Sequence, residues 1–232
     1  MQSSSEAMTT DAPPARRVLL LAGCFADAAA SIDLAVAVAT RTGARLEGVL
    51  ALDPRAEAAG LVTVGHRGRS GPAPGGEALR LACAADARAF RRHLDVAAAR
   101  ASLRCDFRIG AGMLADLAFE LRRPGDTVVL GHRRFLALRG PVVSLDRGAA
   151  GPAALLAADL ARMLGLRVRL LPVDTLPSDI DLTTASAIVL PGTPPDNPRR
   201  LDLLLEAARC PVLLGASEPA PIPPGGHAPG SR

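Results

Sequence analysis

Apolar residues fall along this chain in short solid runs, with helix-period stretches between them. "RRVLLLAG", Arg16 to Gly23, has strand length and five uninterrupted apolar positions, the pattern of a strand buried on both faces. "DAAASIDLAVAVATRTG" then takes a helical period. Asp27 is its candidate N-cap, Gly43 its C′ stop, and Ile32, Ala35, Val36 and Ala39 share a face. "ARLEGVLALD" returns as a second strand. A Gly-, Pro- and Arg-rich loop from Pro54 to Gly76 leads into "EALRLACAADARAFRRHLDVAAARA", a long amphipathic helix. "LRCDFRIG" alternates Cys105, Phe107 and Ile109 as a strand, "MLADLAFELRR" is a short helix, and "TVVLG" is an apolar strand behind the Pro124-Gly125 turn. The order β-α-β-α-β-α-β predicts a parallel sheet covered on both faces.

The plan then restarts. "GPVVSLDRGAAGPAALLAADLARMLGLRVRLLPVD" repeats strand, small-residue turn, Ala/Leu helix, glycine stop and Arg-flanked strand, which points to an internal repeat. The second copy is shorter. After Asp174 comes the irregular "TLPSDIDLTTA", where the first copy has its long helix and third strand; Asp179 and Asp181 read there as turn or capping residues. "SAIVLPG" is a strand, "NPRRLDLLLEAARC" a helix, and "PVLLGAS" a final strand opened by Pro211, a residue tolerated at a strand's first position. The expected class is therefore α/β: doubly wound, mainly parallel sheets with Rossmann-like layering. It divides into two tandem halves, 16–140 and an abbreviated 141–217. The polar residues 1–15 and the Pro/Gly-rich 218–232 are expected to be disordered.

Composition narrows the function. Hydrophobic residues make up 49% of the 232, but aromatics only 2%, with no Trp or Tyr, so the core must be built from Ala, Leu and Val. The net charge is +4 and every basic side chain is Arg, scattered rather than blocked. Without aromatic stacking platforms or a basic tail, nucleic acid is not an expected partner. No apolar run approaches the roughly 20 residues that cross a bilayer, and the N-terminus lacks an apolar signal core, so no membrane association and a cytoplasmic location are expected. Cys24, Cys83, Cys105 and Cys210 stand far apart, as do the four histidines, so no metal site is expected. Cys24 alone draws notice, because it follows the first strand. No G-x-S-x-G elbow or H-E-x-x-H is present, and a chain without Lys has no P-loop lysine.

Three stretches, taken in order, resemble the universal stress protein family. They are the first strand and Ala-rich helix (Val18 to Asp53), "RIGAGMLADLAFELRRPGDTVVLGHRR", and the closing "RCPVLLG". The resemblance implies a site for ATP or AMP. An Asp at the end of the first strand would help hold the nucleotide, and a G-x2-G-x9-G-[ST] loop after the fourth strand would wrap the phosphates. This chain departs from that pattern in both halves. Gly23 and Cys24 stand where the Asp would be, Arg134 replaces the glycine expected after Gly131, and no G-[ST] follows. The second half carries Asp146 in "SLDRG", but its loop, "LPGTPPDNPRR", has prolines for glycines. Backbone N–H groups must turn toward phosphate at φ values that glycine alone adopts freely, and proline has no N–H to offer.

The candidate nucleotide- or anion-binding residues are thus Gly23, Gly131, His132, Arg133 and Asp146. His132 and Arg133 read either as side-chain grips on a phosphate or as solvated residues at a strand end. A weaker candidate is the loop of Gly65, Arg67, Gly68 and Ser70. No cofactor is firmly expected. Three functions follow: a stress-response module acting through a protein partner or self-association with its nucleotide site degenerate; a sensor that keeps one ATP, AMP or anion site; or a small dinucleotide enzyme using the G-x-G-x-x-A turn "GAGMLA", Gly110 to Ala115.

Overall fold

The computed structural model describes residues 16–53, 76–132, 140–146, 148, 150–173, 184–192, 198–208 and 210–216. Arg133, the loop of Gly65, Arg67, Gly68 and Ser70, and the Asp179–Asp181 stretch lie outside these residues, as do both termini.

The first apolar run forms β1 (Arg17–Ala22), fully buried along its length. The helical stretch behind it is divided. A short α1 (Phe25–Ala29) precedes α2 (Ile32–Thr42), and Cys24, in extended conformation, occupies the N-cap position expected for Asp27. Asp27 lies in the first turn of α1 instead, where a carboxylate suits the positive end of the helix. The buried face of α2 is broader than the stripe expected: Leu34 and Val38 join Ile32, Ala35 and Ala39, while Val36 is only half-buried. Gly43 ends α2 in the left-handed region at φ +63°, as its place in the pattern predicts.

β2 (Arg45–Leu52), the long α3 (Gly76–Arg100), β3 (Cys105–Ala111), α4 (Leu114–Leu121) and β4 (Thr127–Leu130) complete the first run. The second consists of β5 (Val142–Asp146), α5 (Pro152–Leu164), β6 (Val168–Pro172), β7 (Ala187–Leu190), α6 (Pro198–Ala207) and β8 (Val212–Leu214). Pro211 sits immediately before β8 and Pro152 opens α5, two positions where a missing N–H costs nothing.

All eight strands join one sheet in the order β3-β2-β1-β4-β8-β7-β5-β6. Every neighbouring pair is parallel except β4 and β8, which run antiparallel. The halves thus meet edge to edge, β2-β1-β4 on one side mirrored by β6-β5-β7 on the other. Alternate strand residues feed two cores. Val18, Leu20, Leu46, Val129 and Val189 pack under α2, α3 and α5, and Leu19, Leu21, Val128, Ile188 and Val212 pack under α4 and α6. Phe90 of α3 and Phe107 of β3 meet edge to face, their centroids 5.3 Å apart, a rare aromatic pair in an Ala/Leu/Val interior. No helix among the described residues is long and apolar enough to cross a membrane.

Candidate functional site

In an open α/β sheet a ligand sits beyond the carboxyl ends of the strands, where the strand order reverses. In the first half that point lies between β1 and β4. Gly23 and His132 stand level there, since the Gly131 N–H donates to the Leu21 carbonyl at 2.7 Å. On its buried side the corner is packed by the chain itself. A methyl group placed on Gly131 would lie 2.9 Å from the Asp27 carbonyl oxygen and 3.2 Å from the Ala22 side chain. Gly131 is therefore glycine because α1 packs over it, and its buried N–H is already spent on β1. Beside it Cys24 is buried, and burial with the Asp27 charge pushes its thiol up to about 11, so at neutral pH it is an inert thiol. α3 seals the outer wall. Asp86 accepts a hydrogen bond from the Phe25 N–H at 3.2 Å, and the Phe25 and His93 rings lie 4.8 Å apart. Gly23 alone opens outward, with nothing within 4 Å of its missing side chain.

In the second half the reversal lies between β5 and β7. Asp146, at the end of β5, is 9% exposed, and its Oδ2 accepts a hydrogen bond from the Ala154 N–H at 3.1 Å. Ala154 is the third residue of α5, whose N-cap, Gly151, has no side chain to offer. Asp146 performs the capping from a distance, and a side chain on Gly151 would collide with its carboxylate. The helix end that could receive an anion is thus occupied by an anion belonging to the protein.

The two corners do not combine. From β1 to β5 the sheet crosses four strand spacings, about 19 Å, and the antiparallel β4–β8 seam turns the second half's strand ends to the opposite edge. Gly23, Gly131 and His132 share one corner, and Asp146 belongs to another. Among the described residues no group of three or more His, Cys, Asp or Glu could hold a metal ion.

The "GAGMLA" turn has a packing role. Gly112 adopts φ +149°, and methyl groups placed on Gly110 and Gly112 would each lie 3.2 Å from the Leu117 side chain. The glycines let α4 descend onto the sheet.

A buried charge cluster at the other end of β1 is absent from the candidates above. Arg17 is 4% exposed; it donates from Nη1 to Glu47 at 2.7 Å, from Nε and Nη2 to Asp126 at 3.1 and 2.5 Å, and from Nη2 to the Leu121 carbonyl at 2.7 Å. Arg108 reaches the second oxygen of Glu47 at 2.8 Å. Burial pushes the Glu47 carboxyl up, but the hydrogen bonds and charges of Arg17 and Arg108 outweigh it and hold the group below the ordinary carboxylate range. Glu47 inside the apolar run "ARLEGVLALD" was the available signal, because a lone charge in a buried strand requires a partner.

No protein-family model matches the chain, and no curated protein matches it. Among solved structures, the universal stress protein UspA from Lactobacillus plantarum is similar over 88% of this chain and 99% of that one, at 14% identity and a TM-score of 0.32. A universal stress protein in complex with cAMP covers 68% of this chain and 98% of its own, at 18% identity and 0.30. A protein from the universal stress protein family from Burkholderia pseudomallei covers 67% and 95%, at 19% identity and 0.31. At such identities and scores the α/β assignment rests on this chain's own strand order.

Proposed function

We propose that this chain is a universal-stress-protein-like cytoplasmic module. Its two tandem halves act in stress response by interaction or regulation and not by turnover, and both nucleotide sites are degenerate. One observation supports the reading: at both strand-end corners the chain's own oxygens occupy the space beside the glycines. The Asp27 carbonyl lies against Gly131 in the first half, and the Asp146 carboxylate caps α5 in the second.

Side-chain hydrogen bonds from His132 and Arg133 would recover part of the lost binding, but hydrogen bonds to charged groups supply only about 1.5–3 kcal/mol each. Micromolar affinity, about −8 kcal/mol, would need several together. Isothermal titration of the dialysed protein with ATP, ADP and AMP tests this. Heatless titrations are expected. Micromolar binding that disappears in Arg133→Ala, or in Asp146→Asn with the fold intact, would overturn the reading in favour of a nucleotide sensor.

A further inference from the structure

β6 ends the sheet at a place where its counterpart β2 does not. Strand registers match the two: β1 sets Val18 beside Leu46 and Leu20 beside Gly48, and β5 sets Val142 beside Val168 and Ser144 beside Leu170. β2 carries β3 on its outer edge, and Phe90 and Leu94 of α3 close over Gly48. Leu46 is fully buried as a result, whereas Val168 and Leu170 are 36% and 46% exposed. The neighbouring helix follows suit. Counting back from the terminal glycines, α5 has the exposed Met163 and Leu164 where α2 has Arg41 and Thr42.

Charge says what would fit this edge. β3 is matched to β2 by two ion pairs, Arg45 with Asp106 at 3.7 Å and Glu47 with Arg108 at 2.8 Å. The same two positions at β6 are Arg167, immediately before the strand, and Arg169 within it, both exposed. A strand laid along β6 as β3 lies along β2 therefore needs acidic residues at both positions and apolar residues between them, against Val168 and Leu170. We infer that the edge of β6 along Val168 to Leu170, which has no strand neighbour among the described residues, binds an extended segment of a partner protein in which apolar and acidic residues alternate, adding a strand to the sheet. A second copy suits it poorly. Two-fold pairing of β6 centred on Val168 or Arg169 sets arginine against arginine, and a copy's β3, with Asp106 against Arg167, sets Arg108 against Arg169 where a second acid is needed. This inference rests on the interaction reading above.

The test is fluorescence anisotropy of the full chain with a short labelled peptide alternating valine and glutamate, beside its valine–lysine counterpart. The glutamate peptide should bind and the lysine peptide should not. Arg169→Glu, an exposed position, should weaken the glutamate peptide roughly tenfold and admit the lysine peptide. Arg88→Glu, the same change of charge at an exposed position on α3, should alter neither. Equal binding of both peptides, or equal losses in the two variants, would overturn the inference. So would a wild-type dimer in sedimentation that Arg169→Glu dissociates, since the edge would then belong to a second copy. A failure here leaves the nucleotide titrations heatless, whereas a failed interaction reading would show as nucleotide heat, so the two failures are distinguishable.

Discussion

Replacing Arg17 with alanine tests whether the buried charge cluster joins β1, β2 and β4 or merely coexists with them. The substitution removes four hydrogen bonds and leaves the Glu47 and Asp126 carboxylates in a buried site. Breaking a buried pair on one side costs about 3–5 kcal/mol. Glu47 keeps Arg108, and Asp126 keeps the Arg123 N–H at 2.9 Å, so the lower end, about 3 kcal/mol, is expected. That is a large part of the roughly 5–15 kcal/mol that holds a domain together. With a urea slope near 2–3 kcal/mol/M, the midpoint should fall by about 1–1.5 M at pH 7.

Acid should shrink the deficit. Arg17 and Arg108 hold the Glu47 carboxyl below its unfolded value. Its ionised form therefore contributes stability that is present above the unfolded pKa, near 4.3, and is lost as pH falls through the folded value. The wild type loses that contribution on acidification, whereas the variant has already lost the share due to Arg17. Urea curves of both proteins at pH 7 and at about pH 4 decide the matter. A deficit under about 1 kcal/mol at pH 7, within the range of an exposed ion pair, would refute the reasoning. A deficit equal at the two pH values would refute the role given to Glu47.

Further outcomes follow from the same packing. Gly48→Ala drives a methyl group into the Leu94 side chain, with Phe90 and Phe107 each 3.3 Å away, and should cost about 1–3 kcal/mol by denaturation. Asp146→Ala should cost about 1 kcal/mol through the lost cap on α5, and Asp146→Asn much less, because an amide oxygen still accepts the Ala154 N–H. Cys24, with its thiol near 11, should be roughly one part in a thousand thiolate at pH 8 and label slowly with a disulfide reagent until urea exposes it. Residues 1–140 expressed alone lack β8, so Val128–Leu130 of β4 becomes an open apolar edge. The fragment should self-associate on size exclusion, and a soluble, cooperatively folding monomer would show that the halves are independent.

The elements were legible because their signals are local. A solid run such as Val18–Ala22 needs only its own residues to declare a buried strand, and Gly43 and Gly165 declare the ends of α2 and α5 through a backbone angle. The break between α1 and α2 was not legible, because α1 packs against Gly131 and α3, residues distant in sequence. The same holds for the strand-end corners. Gly131 looks like the remnant of a phosphate loop and Gly151 like part of a small-residue turn in the sequence, yet in the fold each is small because a specific oxygen of the protein, the Asp27 carbonyl or the Asp146 carboxylate, occupies the space beside it.

The antiparallel seam was the least legible feature and has the widest consequence. Nothing in "TVVLG" or "PVLLGAS" says that these strands will pair, still less in which direction, because both are short apolar runs without a hairpin turn between them. Once paired antiparallel, they turn the two sets of strand ends away from each other, so residues that look equivalent in the repeat, Gly23 and Asp146 among them, come to lie at opposite edges of one sheet. A ligand that drew on both halves could not reach both corners. Each half must keep or lose a site alone, and the two corners differ: in the first α1 packs against Gly131, and in the second Asp146 caps α5. Among the described residues the far edge of that sheet is β6, with the half-exposed Val168 and Leu170 and arginines beside them.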